Sequence, residues 1–433
     1  MKKILIVYTD RFSQRNIETS DLVELLTNEG FNVETQYCVP QIDNMLCSLI
    51  LKLKSRLYEI VKYRFMEVQG IKKQIFKHRF KKQKTLIGYD KLNTSLGFPF
   101  PKSKFLLNML NKAFISMPAC IERFQADLIL VTNMQDSTAQ SYIKYAERNG
   151  IKILPLVNSW DHLTHGGKAI ESPAIPFYMV WNEIQKTELV ELHGVPAEKI
   201  CTVGALQYDY LKEQAQSNES DDILHKLFNV EKHKKIVFLP AYNDRHGKYE
   251  PFVIRKIIEN KAKLISDIHV LIRPYPTDRT FEKRFGDVIS DSGVTVASVS
   301  VNMFDDRKIM SMLLKHSDIV LSGCGTAAIE AMYYDTPVIH IPIDNNESHD
   351  IDTIEKSNYF SDHYVHIMNA NASSVVFTVN ELIEAVNSYL KDPNFKQKER
   401  QSLIIQQLQS PEQKSSQTIQ RKISGVLNEE NNI

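Results

Sequence analysis

The first apolar run, Lys3–Tyr8 (KILIVY), is too short for a helix and predicts a buried strand. Leucines at 22, 25 and 26 then fall at helical spacing, which predicts a helix over Thr19–Gly30, and Phe31–Gln36 predicts a second strand. The rhythm returns with a strand at Asp127–Thr132, a helix at Ser137–Arg148 stopped by Gly150, and a strand at Lys152–Val157. Phe177–Trp181 predicts another strand and Glu183–His193 a helix stopped by Gly194; one more strand falls within Val195–Leu211. After the polar, acidic stretch Gln214–Asp222 the alternation restarts. Its strands are Lys235–Pro240, His269–Arg273, Val294–Ala297, Asp318–Leu321 and Val338–Ile341, and its helices are Pro251–Asn260, Arg307–Lys315, Thr326–Met332 and Val379–Leu390. Two such series predict an α/β protein with two Rossmann-like domains facing a central cleft, the boundary lying near Gly204–Glu219. The expected domains are 1–210 and 211–393, followed by a polar, Gln-rich, helical tail at 394–433.

A length of 433 residues suits two domains, and 43% hydrophobic with 24% charged residues is a globular composition. A formal charge of +1 exerts no general pull on nucleic acid. The start MKKILIVYTD has too short an apolar stretch for a secretory signal, and its residues read better as the first strand. Five scattered cysteines without a CxxC indicate neither a disulfide framework nor a zinc knuckle. These features read as cytoplasmic. One segment departs from the average: Lys52–Lys84 carries twelve Lys or Arg against Glu59 and Glu67, within an insertion at about 48–115. Its apolar positions, among them Leu53, Leu57, Ile60 and Val61, approach helical spacing. A basic amphipathic helix fits the inner face of a membrane; the alternative is an apolar stripe packed on the core beneath solvated lysines.

The densest chemistry lies in His316–Asp344, which reads as strand, glycine turn, helix, strand. Gly323 and Gly325 break the strand, since glycine reaches backbone angles other residues avoid. A turn feeding a helix N-terminus presents unpaired N–H groups and the positive end of the helix dipole, a setting for phosphate. The motif is neither GxGxxG nor a P-loop, and a plain βαβ turn is the bland alternative. Glu330 lies four residues beyond Thr326, on the same helix face, within reach of a ribose hydroxyl pair. SGCGTAAIEA followed by DTPVIHI resembles the donor-site signature of GT-B glycosyltransferases. A second stretch, NSWDHLTHGGK with VWNEIQKTELVELHG and VGALQYDYL, is similar to a pattern in surface-carbohydrate biosynthesis proteins of that class, with His162 where Asn is usual. RPYP at Arg273–Pro276 is similar to the RPHP of polyol-phosphate and carbohydrate transferases, with Tyr275 replacing His.

The resemblance implies a donor site made of Ser322, Gly323, Gly325, Thr326 and Glu330, with Arg245 and Arg273 on the phosphates. Stabilising charge on the leaving group is usually the largest catalytic contribution. A structural ion pair is the competing role for Arg273. An acceptor hydroxyl also needs a base. Asp161 is the first candidate and His165 the second, with Asp136 third; for Asp161 an Asx-type turn is the competing role. No metal site and no cofactor beyond the nucleotide-sugar co-substrate are expected. Asp350-Ile351-Asp352 reads as a solvated loop, and His363 and His366 lie in a strand-like run where residues three apart face opposite ways. The expected function is metal-independent sugar transfer from a nucleotide-activated donor to a surface polysaccharide or glycolipid acceptor. The rivals are a polyol-phosphate transferase or a nucleotide-sugar 2-epimerase on the same scaffold, and a non-catalytic carbohydrate- or membrane-binding scaffold.

Overall fold

Strands form where the apolar runs fall, and most are buried on both faces, as parallel sheets covered by helices require. The computed structural model of the protein describes residues 1–8, 10–37, 124–134, 137–165, 172–300, 302–351, 354–361, 363–409 and 412–428. The basic insertion at about 48–115 and Asp136 lie outside these residues. The chain divides into two compact units, residues 1–210 with 407–433 and residues 211–406. No helix among the described residues is long and apolar enough to cross a membrane.

The first unit runs β1 (Lys3–Tyr8), α1 (Arg11–Glu18), α2 (Leu22–Asn28), β2 (Asn32–Tyr37), β3 (Leu128–Thr132), α3 (Ser137–Asn149), β4 (Lys152–Leu156), α4 (His162–His165), β5 (Tyr178–Val180), α5 (Glu183–His193) and β6 (Ile200–Thr202). Helix α6 (Gln207–Ala215) carries the chain across to the second unit. The parallel sheet has the order β2-β1-β3-β4-β5-β6. Leu5, Val7, Ile129, Val131 and Ile153 join one core layer, and Ile4, Ile6, Leu128, Leu130 and Leu154 the other. The helix expected over Thr19–Gly30 is α2, and a further helix, α1, precedes it. Asp10 caps α1 by accepting from the Ser13 backbone N–H at 2.8 Å. Helix α1 buries Ser13, Asn16 and Ile17 and so lacks the apolar stripe that announces a helix in sequence.

The second unit continues with α7 (Ile223–Leu227), β7 (Lys235–Pro240), α8 (Glu250–Glu259), β8 (Ile268–Arg273), α9 (Phe281–Phe285), β9 (Val294–Val296), α10 (Met303–His316), β10 (Ile319–Ser322), α11 (Thr326–Tyr333), β11 (Val338–His340), α12 (Ile354–Tyr359), α13 (Val365–Asn369), β12 (Ser374–Val375), α14 (Val379–Lys391) and most of α15 (Gln397–Leu408). Its parallel sheet has the order β12-β11-β10-β7-β8-β9. The run at His363–Met368, expected as a strand, forms a turn and α13. Ser361 accepts the Tyr364 and Val365 N–H groups at 2.9 and 2.8 Å and starts the helix. Tyr364 and Ile367 are buried, and Tyr364 hydrogen-bonds His340 at 2.7 Å. Burial of these two residues one turn apart overrides the strand-like composition.

The last helix, α16 (Ser415–Asn428), belongs to the first unit. Ile419, Ile423, Val426 and Leu427 recur at helical spacing and fill the layer that holds Ile4 and Ile6. The Asp209 carboxylate accepts the Ser415 and Ser416 backbone N–H groups at 2.8 and 2.7 Å, which satisfies donors at the helix N-terminus. Residues 394–433 are thus shared between the two units.

Candidate functional site

Strand order reverses between β7 and β10 in the second unit and between β1 and β3 in the first. Ligands of open α/β sheets bind beyond the strand C-termini at such switch points. In the second unit, the turn Gly323–Gly325 leaves β10 and enters α11, beside the loop that follows β7. Gly325 is the N-cap and has no side chain to cap the helix. Neither glycine adopts a left-handed backbone, so conformational freedom is not why they are there. Close approach is: a Cβ at Gly323 would lie 2.6 Å from the Tyr242 ring, and one at Gly325 would overlap the Tyr242 hydroxyl. Tyr242 also stacks on Tyr275, with centroids 6.5 Å apart and planes at 14°.

A buried network shapes this loop. The Tyr242 backbone N–H donates to both oxygens of the Glu250 carboxyl at 3.1 and 3.0 Å. Arg284 donates to the Tyr242 and Gly247 carbonyls at 2.5 and 2.7 Å and to Asp278 at 2.6 Å. Burial pushes the Glu250 carboxyl up to about 8, against the opposing pull of the Tyr242 N–H and Arg284. Nothing in the sequence marked Glu250 or Arg284, because their partners are backbone groups of the loop and, for Arg284, also Asp278.

The candidate donor residues have different settings. Arg245 is exposed on the same loop as Tyr242. Arg273 ends β8 and is buried, paired with Asp306 at 2.5 Å. Its Nε is buried and has no hydrogen-bond partner among the described residues. The ion pair is the role the structure shows for it. Ser322 is fully buried, and its hydroxyl donates to the Gly323 carbonyl at 3.0 Å. Its own carbonyl accepts from Ile341 N–H and the Tyr359 hydroxyl, both at 3.2 Å. Ser322 therefore supports the turn from beneath. Thr326 opens α11, and Glu330 is half-buried one turn later, its charge felt at Tyr334.

In the first unit, polar side chains gather beyond β1 and β4. Asn158 donates to the Ser13 hydroxyl at 3.0 Å and accepts from Asn16 at 3.2 Å, joining α1 to the end of β4. Ser159 donates to Asp161 Oδ1 at 2.6 Å, and the Asp161 carbonyl accepts from Thr164. Asp161 thus shapes the turn into α4, where a competing structural role was expected. Gln185 of α5 donates to the Ser159 carbonyl at 2.9 Å, and the Trp181 indole donates to Val157 at 2.8 Å. Burial holds His162 below the usual imidazole range, although Asp161 and Asp10 oppose it. His165 closes α4; its side chain lies outside the described residues.

Residues 147–425 match the family described as CDP-Glycerol:Poly(glycerophosphate) glycerophosphotransferase, over more than half of the chain. The chain belongs to that family. The match takes in both candidate regions of this glycerophosphotransferase-family protein, the turn at Asp161 and the turn at Gly323–Gly325. No curated protein matches it in sequence. Among solved structures it is similar to the UDP-GlcNAc 2-epimerase of Neisseria meningitidis bound to UDP-GlcNAc, at 14% identity and a TM-score of 0.55, over 99% of this chain and 100% of that one. A putative UDP-N-acetylglucosamine 2-epimerase from Listeria monocytogenes gives 12% identity and a TM-score of 0.58, over 100% and 98%. At such identities the likeness is one of fold. The fold is α/β with two Rossmann-like domains, GT-B-like, and the family is a transferase family.

Proposed function

We propose that the protein is a polyol-phosphate transferase, moving a glycerol-phosphate-type unit from a cytidine-diphosphate-linked donor to a hydroxyl of a surface polymer or glycolipid. The observation that carries this reading is the Gly323–Gly325 turn at the β7/β10 switch point, in a chain of the glycerophosphotransferase family. A helix N-terminus at a switch point suits the diphosphate of either a sugar or a polyol donor. Family membership favours the polyol over the sugar that the sequence resemblance put first.

In this reading the backbone around Thr326 and the Arg245 guanidinium hold the diphosphate, and Glu330 takes the ribose hydroxyls. Arg273, paired with Asp306 at the end of β8, offers its Nε–H to a phosphate oxygen in this reading. An acceptor hydroxyl oxygen attacks the phosphorus that carries the polyol. A new P–O bond forms, the bond to the bridging oxygen breaks, and cytidine monophosphate leaves with that oxygen. Asp161 receives the hydroxyl proton. The residues named need no metal ion, so turnover is expected to survive chelation of magnesium.

Incubating the full chain with CDP-glycerol and a glycerophosphate-terminated acceptor, and separately with UDP-sugars, tests the assignment. Acceptor-dependent release of cytidine monophosphate is the expected result. Release of uridine diphosphate would make the protein a glycosyltransferase, and isomerisation of a free UDP-sugar without acceptor would make it an epimerase. Either outcome would overturn the proposal.

A further inference from the structure

Arg273 is the last residue of β8, in register with Pro240 of β7, and its carbonyl accepts the Ala241 N–H at 2.9 Å. Tyr242 follows Ala241 and presses on the glycine turn, and Tyr275, two residues beyond Arg273, stacks on its ring. Arg273 is thus rooted at the same strand ends as the Gly323–Gly325 turn. Its side chain is buried, and the ion pair with Asp306 runs through Nη2, at 2.5 Å. Nε is buried with no hydrogen-bond partner among the described residues. Arg284 also leaves its Nε unpaired, but both of its Nη nitrogens are filled by loop carbonyls, with Asp278 besides. Asp306 Oδ1 accepts the Ser300 backbone N–H as well, at 3.0 Å, which ties it to the chain leading into α10. It is not needed as the cap of that helix, since Asn302 accepts the Phe304 and Asp305 N–H groups at 2.9 and 3.4 Å.

We infer that Asp306 is a positioning residue for the donor diphosphate: it grips Arg273 by one nitrogen and leaves the Nε–H to a phosphate oxygen. This rests on the reading of the β7/β10 switch point as the donor site. A pair that serves the fold alone gains most when guanidinium and carboxylate meet through two parallel bonds. Here one nitrogen is used and a buried donor is left unmet, an arrangement that costs stability until an acceptor fills it. A phosphate oxygen suits that donor, because guanidinium recognises phosphate through directed N–H groups. The Asp306 carboxylate offsets the charge of Arg273, so the contribution of Arg273 is a directed bond more than net charge. Asp306, itself fixed by Ser300, also holds the long Arg273 side chain in place beforehand, so that donor binding need not order it. A lysine at position 273 could keep the ion pair, but it has no Nε–H with which to make the second contact.

The test is isothermal titration of the full chain with cytidine diphosphate, at a temperature where each variant is folded, beside a melting curve for each. Asp306→Asn keeps an oxygen for the Ser300 N–H but no charge to hold Arg273, and affinity should fall about tenfold. Arg273→Lys should lose a similar factor while its melting temperature stays near that of the wild type. The two changes together should cost no more affinity than the larger of them alone, because each removes the same contact. A pair that serves the fold alone would instead give lower melting temperatures with unchanged affinity, and that result overturns the inference. Losses that add in the double variant overturn it too, since Asp306 would then act on the site by a route other than Arg273. Failure of the donor reading looks different. A wild type that binds uridine diphosphate in place of cytidine diphosphate corrects the donor, and the same cycle is then read with uridine diphosphate. A wild type that binds neither overturns both.

Discussion

Glu250 shows how a single buried carboxyl can serve as a scaffold group. It receives the Tyr242 N–H on both oxygens and faces Arg284 at 3.9 Å, a longer contact than Arg284 makes with Asp278. Its proton affinity is raised from 4.5 to about 8 by burial. Between those values the folded protein holds a proton that the unfolded chain has released. The corresponding stability is fully present below about pH 4.5 and is lost as pH rises through about 8. Glu250→Gln removes this dependence, so its melting temperature should fall less than that of the wild type between about pH 5 and 8. Scanning calorimetry across that range checks it, and parallel curves would show that Glu250 is ionised in the folded state.

Contacts between elements decide what the glycine turn tolerates. The loop after β7 presses Tyr242 onto Gly323 and Gly325, so Gly325→Ala must displace the Tyr242 hydroxyl. Overpacking of this kind costs about 1–3 kcal/mol, and nucleotide affinity should fall at least tenfold because the turn itself moves. Adding Tyr242→Phe should recover part of the loss; a double variant as weak as the single one would show that Tyr242 is not the obstacle. Isothermal titration with cytidine nucleotides reads both. The elements themselves were largely legible in the sequence, because the apolar runs of β1, β3, β7 and β10 have no polar face to confuse them. The turn at Gly323–Gly325 was legible too, although its glycines are there for a neighbouring ring and not for backbone freedom. Elements fixed by long-range or polar partners were not. Helix α1 hides behind Asp10, Ser13 and Asn16, and α13 carries strand-forming residues.

At the scale of the whole molecule, the chain visits the first unit twice. Residues 211–406 form the second unit without interruption, whereas the first is completed only by residues 407–433. Asp209 secures the returning helix by accepting two of its N-terminal N–H groups, and Lys414 pairs with Asp21 at 2.8 Å. Asp209→Ala leaves buried donors unpaired and should destabilise the first unit by about 1–3 kcal/mol. In urea the second unit should unfold where it does in the wild type. Hydrogen exchange at β1 and β3, compared with β7 and β8, separates the two, and equal protection loss in both sheets would contradict the assignment of α16 to the first unit.

Closure of the first unit by α16 has a consequence for the order in which the protein matures. During translation β1 to β6 are made before α16, so the layer holding Ile4, Ile6 and Leu128, which Ile17, Leu22 and Leu26 of α1 and α2 also line, is completed only when Ile419 and Ile423 follow. The second unit, contiguous in sequence, can finish first, reversing the usual N-terminal precedence. A nascent chain of this protein therefore holds its first sheet with one layer incomplete until α16 has been made.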